Sequence, residues 1–193
     1  HEYPPDLGGA GSVAMAVYEV LKSKGCSVEL LNSTSLPFNI NKSWPFFYKR
    51  KLELLASSAN VIILNDPVAI YCAGKYLSAE KLSRCIAIIH GKESKLERSS
   101  RLEDLVGFEG SYKRAFYNSG KVVFVSNFLL RYFDECYGMS SLNSHVIHNG
   151  VAPEFISTPV NDISQDNNVY TFITVARMVK EKGFDSVLEL LSS

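Results

Sequence analysis

The chain has 193 residues, of which 46% are hydrophobic and 21% are charged, and its formal net charge is zero. This balance is typical of a globular protein that buries a core, and the length fits one domain, or one domain and part of another. A neutral chain is not expected to bind nucleic acid, which usually requires a basic face. We find neither a membrane-spanning apolar run nor a signal peptide, and we therefore expect a cytoplasmic protein.

Short apolar runs alternate along the chain with segments of helical periodicity. The apolar runs are residues 26–31, 61–64, 85–89, 122–125 and 145–148. Runs of this kind are typical of strands that are covered on both faces. Apolar residues at helical spacing occupy residues 13–21, 48–55, 112–116 and 128–133. The alternation predicts an α/β fold with a Rossmann-like parallel sheet and helices on both faces, whose ligands bind at the carboxyl ends of the strands.

A polar segment divides the chain into two domains. Residues 151–168 contain two prolines and many Asn, Asp and Ser residues, a composition typical of an interdomain linker. Residues 1–150 then form a first domain, and residues 169–193 begin a second domain that is cut off after one strand and one helix. No strand precedes the glycines that open the first helix, so we expect the first strand to lie upstream.

The four cysteines lie far apart in the sequence, without a C-x-x-C pair or a histidine cluster nearby. They are Cys26, Cys72, Cys85 and Cys136. This spacing argues against a zinc site and against a disulfide framework. We therefore expect reduced, mostly buried thiols and no bound metal.

Three glycines, Gly8, Gly9 and Gly11, open the first predicted helix. Glycine lets a ligand approach the backbone closely, and the amino end of a helix attracts phosphate. Gly9, Gly11 and Ala14 also match the dinucleotide fingerprint, and Glu29 has about the spacing of its acidic residue, although it falls inside its predicted strand. The alternative interpretation is that the glycines only form a tight turn.

Two motifs lie nearer the carboxyl terminus. Asn149 and Gly150 form a dipeptide that by itself is typical of a turn. Arg177 lies at the end of a predicted strand, and Lys182 lies just before a predicted helix. Two cations at such a crossing can bind a diphosphate that gains charge as it leaves, although solvated surface charges are the usual interpretation of such residues.

Five segments, taken in order, resemble the large group 1 (family 4-like) of retaining nucleotide-sugar glycosyltransferases. They are residues 2–9, 89–91, 125–128, 146–151 and 176–183. The resemblance covers nearly the whole chain. It implies the GT-B architecture, in which two Rossmann-like domains face each other across a cleft, the first binding the acceptor and the second binding the donor.

The resemblance also implies roles for three candidate catalytic residues. Arg177 and Lys182 match the pair that binds the diphosphate of the donor, and His90 matches a residue near the reacting sugar. Cations and helix amides can stabilise a departing nucleoside diphosphate without a metal, so no cofactor is expected beside the nucleotide-sugar substrate. A hydrogen-bonded structural role is the alternative interpretation of His90.

Five further positions are candidate substrate-binding residues. Gly8, Gly9 and Gly11 belong to the loop that in the family approaches the donor phosphates and sugar. Ser126 matches a position that lines the same cleft, and Asn149 lies in the fourth matching segment.

The implied function is transfer of a hexose from a nucleotide sugar to a glycan or lipid-linked acceptor, with retention of configuration, as in polysaccharide biosynthesis. The family carries two donor-domain glutamates, eight residues apart, that lie beyond the end of this chain. We therefore expect the 193-residue piece alone to be inactive. The alternatives are an NAD(P)-dependent Rossmann oxidoreductase and a non-catalytic binding module of the same fold.

Residues 43–51 place aromatic side chains beside a basic cluster. Such a segment can lie at a membrane interface, and many members of the family act on lipid-linked acceptors. We favour a helix whose aromatic side chains enter the core while its cations stay in water. Peripheral contact with the inner face of a membrane is the alternative.

Overall fold

The structure is a computed structural model that describes residues 8–32, 44–92, 107–138, 143–151, 156, 173–176 and 182–192, with the backbone alone at 44–46 and 192. The chain divides into two compact units, residues 1–150 and 151–193. Residues 152–168, nearly all of the predicted linker, lie outside the described residues except for Ile156.

Helices and strands alternate through the described part of the first unit. Its helices are α1 (Gly9–Ser23), α2 (Trp44–Ser58), α3 (Pro67–Tyr76), α4 (Ala79–Leu82), α5 (Phe108–Asn118) and α6 (Asn127–Tyr137). Its strands are β1 (Ile62–Leu64), β2 (Cys85–Ile89), β3 (Lys121–Phe124) and β4 (Ser144–Val146). The second unit contributes α7 (Phe184–Ser192) to the described residues.

The four strands form one parallel sheet in the order β1-β2-β3-β4. In β2, alternate side chains are fully buried and those between them are partly buried, so both faces of this strand are covered. The structure therefore confirms the predicted α/β class with a Rossmann-like parallel sheet. Because the strands are parallel, all of their carboxyl ends lie at one edge of the sheet.

The predicted strand at residues 26–31 is wrong. This segment is not part of a strand in the structure, and Cys26, Ser27 and Glu29 are exposed. It reaches the core at Leu31, which packs against the buried cluster. An apolar run can therefore supply core contacts without joining the ladder of hydrogen bonds that defines a strand. For the second unit we also expect a strand at residues 169–175, but the described part of it, residues 173–175, is not in a strand.

Helices α3 and α5 pack together more closely than ordinary side chains would permit. In this sheet each strand lies beside the one before it, always on the same side. Right-handed crossovers between such strands place all of the connecting helices on one face of the sheet. At the contact, Gly74 of α3 lies against the backbone of Ser111 in α5, so that a Cβ atom on Gly74 would overlap the carbonyl oxygen of Ser111. The absence of a side chain at Gly74 allows this approach.

Buried aromatic rings fill the space between these helices and the sheet. Tyr112 and Phe116 of α5 meet edge to face with their centroids 4.5 Å apart, and Phe116 meets Phe133 of α6 in the same manner at 5.7 Å. Phe124 of β3 completes the cluster against Phe133. Edge-to-face pairs add to the free energy gained by burying the rings, so this cluster joins two helices and a strand.

Polar side chains fix the ends of several helices. Asp66 and Ser126 are the N-caps of α3 and α6, and each accepts a hydrogen bond from a backbone amide of the first turn. Arg114 donates to the carbonyls of Gly74 and Leu77 at the end of α3. Helix α3 has no counterpart among the predicted helices, although Asp66 followed by proline is a typical helix start.

The four cysteines are free, but only two of them are buried. Cys72 and Cys85 are fully buried, whereas Cys26 and Cys136 are exposed, which corrects the expectation of mostly buried thiols. Burial raises the pKa of Cys72 and of Cys85 to about 12, and the nearby Asp66 carboxylate adds to the effect at Cys72. Both thiols therefore stay protonated at pH values where a cysteine of ordinary pKa, about 8.5, ionises.

We expect a thiol-alkylating reagent at pH 9 to label Cys26 and Cys136 in the folded chain and all four cysteines in urea. The same pKa shifts lower the free energy of unfolding as pH rises above about 8.5, because the unfolded chain then loses thiol protons that the folded chain keeps. Mass spectrometry of the labelled peptides checks the first expectation. Rapid native labelling of Cys72 or Cys85 would contradict it.

Helix α2 contains most of the aromatic and basic segment 43–51. Tyr48 packs against the core, and burial raises its pKa far above the ordinary value. Lys49 lies over the ring of Tyr76 and pairs with Glu53 at 3.9 Å. Tyr48 fits the packed arrangement that we favoured, whereas Phe47 is exposed, and contact with a membrane stays a prediction. None of the helices described here combines the length and hydropathy needed to cross a membrane.

Candidate functional site

The carboxyl edge of the sheet gathers four polar residues from four different strands. Asn65 follows β1 directly and His90 follows β2 directly. Ser126 lies two residues after β3, and Asn149 lies three residues after β4. In open α/β sheets, ligands bind at this edge.

Hydrogen bonds connect this edge to the first turn of α1. The side-chain nitrogen Nδ2 of Asn65 donates to the carbonyl oxygen of Ala10 at 2.8 Å. The Oδ1 atom of the same side chain lies 3.1 Å from Nε2 of His90. A single half-buried amide thus joins the glycine-rich start of α1 to His90.

The bond to Ala10 decides how the amide of Asn65 is oriented. A backbone carbonyl only accepts hydrogen bonds, so the NH2 group of Asn65 must face it and the oxygen must face His90. Nε2 of His90 therefore carries a proton, and in the neutral imidazole Nδ1 is the nitrogen without one. The arrangement selects one tautomer of His90.

The predicted glycines begin α1. Gly8 is the N-cap, with an extended backbone, and its carbonyl accepts from the amide of Ser12 at 3.0 Å. Gly11 is buried, whereas Gly9 is exposed and a Cβ atom placed on it would meet nothing within 4 Å. A glycine N-cap has no side-chain oxygen for the amides of the first turn, so oxygen atoms of a ligand can take that place.

The hydroxyl of Ser126 accepts a hydrogen bond from the amide of Leu129 at 3.2 Å. Ser126 therefore has a structural role at the start of α6, in addition to the role predicted for it in substrate binding. Asn149 is exposed, in the segment that follows β4. His148, beside it, lies 3.2 Å from the carbonyl of Val125 through Nδ1, which fits a structural histidine.

A cation lies over two aromatic rings near His90. The ammonium group of Lys92 is 4.5 Å from the ring centroid of Tyr132 and 5.1 Å from that of Phe128, both on α6. Phe128 is exposed. Contacts of this kind fix the position of a flexible lysine, so Lys92 is held beside the first turn of α6.

The two predicted cations of the second domain belong to a different unit of the chain. Arg177 lies outside the described residues. Lys182 is exposed and directly precedes Gly183, whose φ of +68° is in the left-handed region, and the first turn of α7. Their roles at a diphosphate stay predictions. In the part of the chain that the structure describes, no cluster of His, Cys, Asp and Glu could hold a metal ion.

Sequence reasoning missed Asn65 and Lys92. Asn65 ends an apolar run and is followed by Asp66 and Pro67, a signal that marks a strand end and a helix start. Nothing in the local pattern pairs it with Ala10, 55 residues earlier. The partner of His90 was therefore visible only in the folded chain.

Comparison with known families agrees with these observations. Residues 7–155 match the family model described as Glycosyltransferase Family 4. No curated protein and no solved structure is significantly similar to the chain. The oxidoreductase alternative is not favoured, since Glu29 is exposed and is not part of a strand. The matched segment spans well over half of the chain and includes Asn65, His90 and the start of α1, and the chain belongs to glycosyltransferase family 4.

Proposed function

We propose that the chain is the acceptor-side part of a retaining GT-B glycosyltransferase. The enzyme moves a hexose from a nucleoside diphosphate donor to a glycan or a lipid-linked acceptor in the cytoplasm. The family supplies the reaction class, glycosyl transfer between a sugar donor and an acceptor. The identity of the donor, the retention of configuration and the class of acceptor are part of the proposal.

The hydrogen-bonded connection between α1 and His90 carries the proposal. It brings two different kinds of group to one edge of the sheet. The first turn of α1 offers backbone amides and the positive end of a helix, which suit phosphate oxygens. The imidazole of His90 offers a hydrogen-bonding group that suits a sugar hydroxyl. Together they fit a ligand in which a sugar is joined to a diphosphate.

The reaction needs positive charge where the nucleoside diphosphate departs. As the bond between the sugar and the phosphate breaks, negative charge grows on the leaving oxygen, and preorganised donors lower the barrier by stabilising that charge. Arg177 and Lys182 would supply the charge from the second domain, and the amides of α1 would add to it from the first. No residue then has to protonate the leaving group.

In the proposed enzyme, the acceptor and the donor bind to different domains. In the proposed GT-B arrangement, residues 1–150 would contribute the acceptor side of the site, and the second domain would hold the donor base and ribose. We therefore propose that the acceptor-side unit has little or no transferase activity without a complete donor-side domain.

Gly9→Ala separates the two interpretations of the glycine motif. A Cβ atom at this position meets nothing within 4 Å, so we expect the free energy of unfolding to stay the same or to rise by up to about 1 kcal/mol. If a phosphate approaches the backbone here, the added methyl group obstructs it. We then expect the rate of sugar transfer, measured on a chain that includes the donor-side domain, to fall at least tenfold.

Gly110→Ala is the matched control, since its Cβ atom also meets nothing within 4 Å and it lies in α5 and not at the start of α1. It should leave transfer unchanged. Native rates of transfer in Gly9→Ala would show that the glycine only shapes the turn.

A further inference from the structure

We propose that Asn65 is a positioning residue for the reaction. It selects the tautomer of His90 and holds the start of α1 in register with that imidazole. Nothing in the sequence motifs or in the family match assigns it a role. The tautomer follows from the hydrogen bonds alone, whereas its meaning for catalysis rests on the function proposed above.

The two bonds of Asn65 use opposite ends of one planar amide. Nδ2 donates to Ala10 at 2.8 Å, while Oδ1 accepts from Nε2 of His90 at 3.1 Å. Because the amide is rigid and planar, a shift of α1 along the sheet edge turns the oxygen away from His90. Asn65 therefore links the position of the first turn of α1 to that of the imidazole.

Asparagine is the residue that satisfies both neighbours. The Ala10 carbonyl requires a donor, and Nε2–H of His90 requires an acceptor. An aspartate in this place accepts from His90 but cannot donate to Ala10. A leucine has nearly the same shape and does neither. Aspartate therefore removes only the bond to Ala10, whereas leucine removes both bonds.

Selecting the tautomer of His90 decides which of its nitrogens can accept a proton or a hydrogen bond. With Nε2–H committed to Asn65, Nδ1 is the basic nitrogen of the neutral ring. A histidine in the other tautomer would present a donor where this one presents an acceptor. A group that fixes the tautomer thus acts on catalysis through His90 and touches no reacting atom itself.

Nitrogen-15 NMR of the 193-residue chain tests the tautomer. Long-range proton–nitrogen spectra distinguish the protonated from the unprotonated ring nitrogen. The chain has four histidines, and the signals that disappear in His90→Gln are those of His90. In the native chain and in Asn65→Asp we expect the Nε2–H tautomer of neutral His90. In Asn65→Leu we expect both tautomers in exchange.

Hydrogen exchange of the first turn of α1 tests the other bond. Asn65→Asp and Asn65→Leu both lose the bond to Ala10, and we expect the amides of Ser12 and Val13 to exchange about fivefold faster in both variants, as for the loss of one hydrogen bond. Asn118→Leu is the matched control, because Asn118 is half-buried, as Asn65 is, and bonds within its own helix, to the carbonyl of Arg114. It should change neither the exchange nor the tautomer.

Kinetics on a chain that includes the donor-side domain complete the test. We expect Asn65→Leu to lower kcat at least tenfold with little change in KM for the acceptor, and Asn65→Asp to recover part of that loss. An Nδ1–H tautomer in the native chain, an unchanged tautomer in Asn65→Leu, or a native kcat in Asn65→Leu would overturn the proposal. Should the native enzyme turn over no nucleotide sugar while the tautomer responds as expected, the proposed function fails and the control of His90 by Asn65 stands.

Discussion

Gly74→Ala is expected to lower the free energy of unfolding of the first unit by more than about 4 kcal/mol, the range reserved for severe defects in packing. The new Cβ atom would overlap the carbonyl oxygen of Ser111 and would lie 3.1 Å from the Cβ of Ala115. The obstacle is backbone within a helix, so it cannot turn aside as a flexible side chain would. Helices α3 and α5 must separate, which loosens the packing of Tyr112 and Phe116.

Gly110→Ala is the control for this prediction, because it adds the same methyl group to α5 in open space. Alanine is a better helix former than glycine, so this variant should be as stable as the native chain or more stable by up to about 1 kcal/mol. Urea unfolding followed by circular dichroism measures both. Equal midpoints for Gly74→Ala and the native chain would show that α3 and α5 are not packed as described.

Arg177→Ala is expected to lower kcat about 100- to 1,000-fold, and Lys182→Ala to act in the same direction, as for the loss of one group that stabilises charge in a transition state. Both substitutions remove positive charge from the proposed position of the departing diphosphate. Because that charge develops as the sugar–phosphate bond breaks, kcat and kcat/KM should fall together. Steady-state kinetics on a chain that includes the donor-side domain measure the effect.

Lys113→Ala is the matched control, because it removes one positive charge elsewhere in the chain. Lys113 is partly exposed on α5 and pairs with Glu109 at 2.6 Å, four residues earlier in the same helix. Its removal should change kcat less than twofold and stability by at most about 1 kcal/mol. If Arg177→Ala retained a native kcat, the proposed role of this arginine at the leaving group would be wrong.

The strands of the sheet could be predicted because a parallel strand covered on both faces consists almost wholly of apolar residues. That rule located the strands that the structure gives as Ile62–Leu64, Cys85–Ile89 and Lys121–Phe124 within one or two residues. It failed at residues 26–31, a run that includes Ser27 and Glu29 and is not part of a strand in the structure. Apolar composition indicates burial, whereas strand formation also requires a neighbouring backbone.

The site was predictable only where the sequence carries a local signal. Glycines before a helix and a histidine at a strand end can be recognised in order along the chain, and the resemblance to a family gave them roles. Asn65 has no such signal, because its two partners are 55 and 25 residues away. The tautomer of His90 depends on that contact, so the sequence could name the histidine but not its chemical form.

The nucleoside diphosphate released from nucleotide sugars tests the central claim most directly, measured with a chain that includes the donor-side domain and an added glycan or lipid-linked acceptor. We predict that release depends on the acceptor and that the glycosidic product keeps the anomeric configuration of the donor. Failure of every nucleotide sugar to be consumed, together with tight binding of NAD(P) by the same protein, would contradict it.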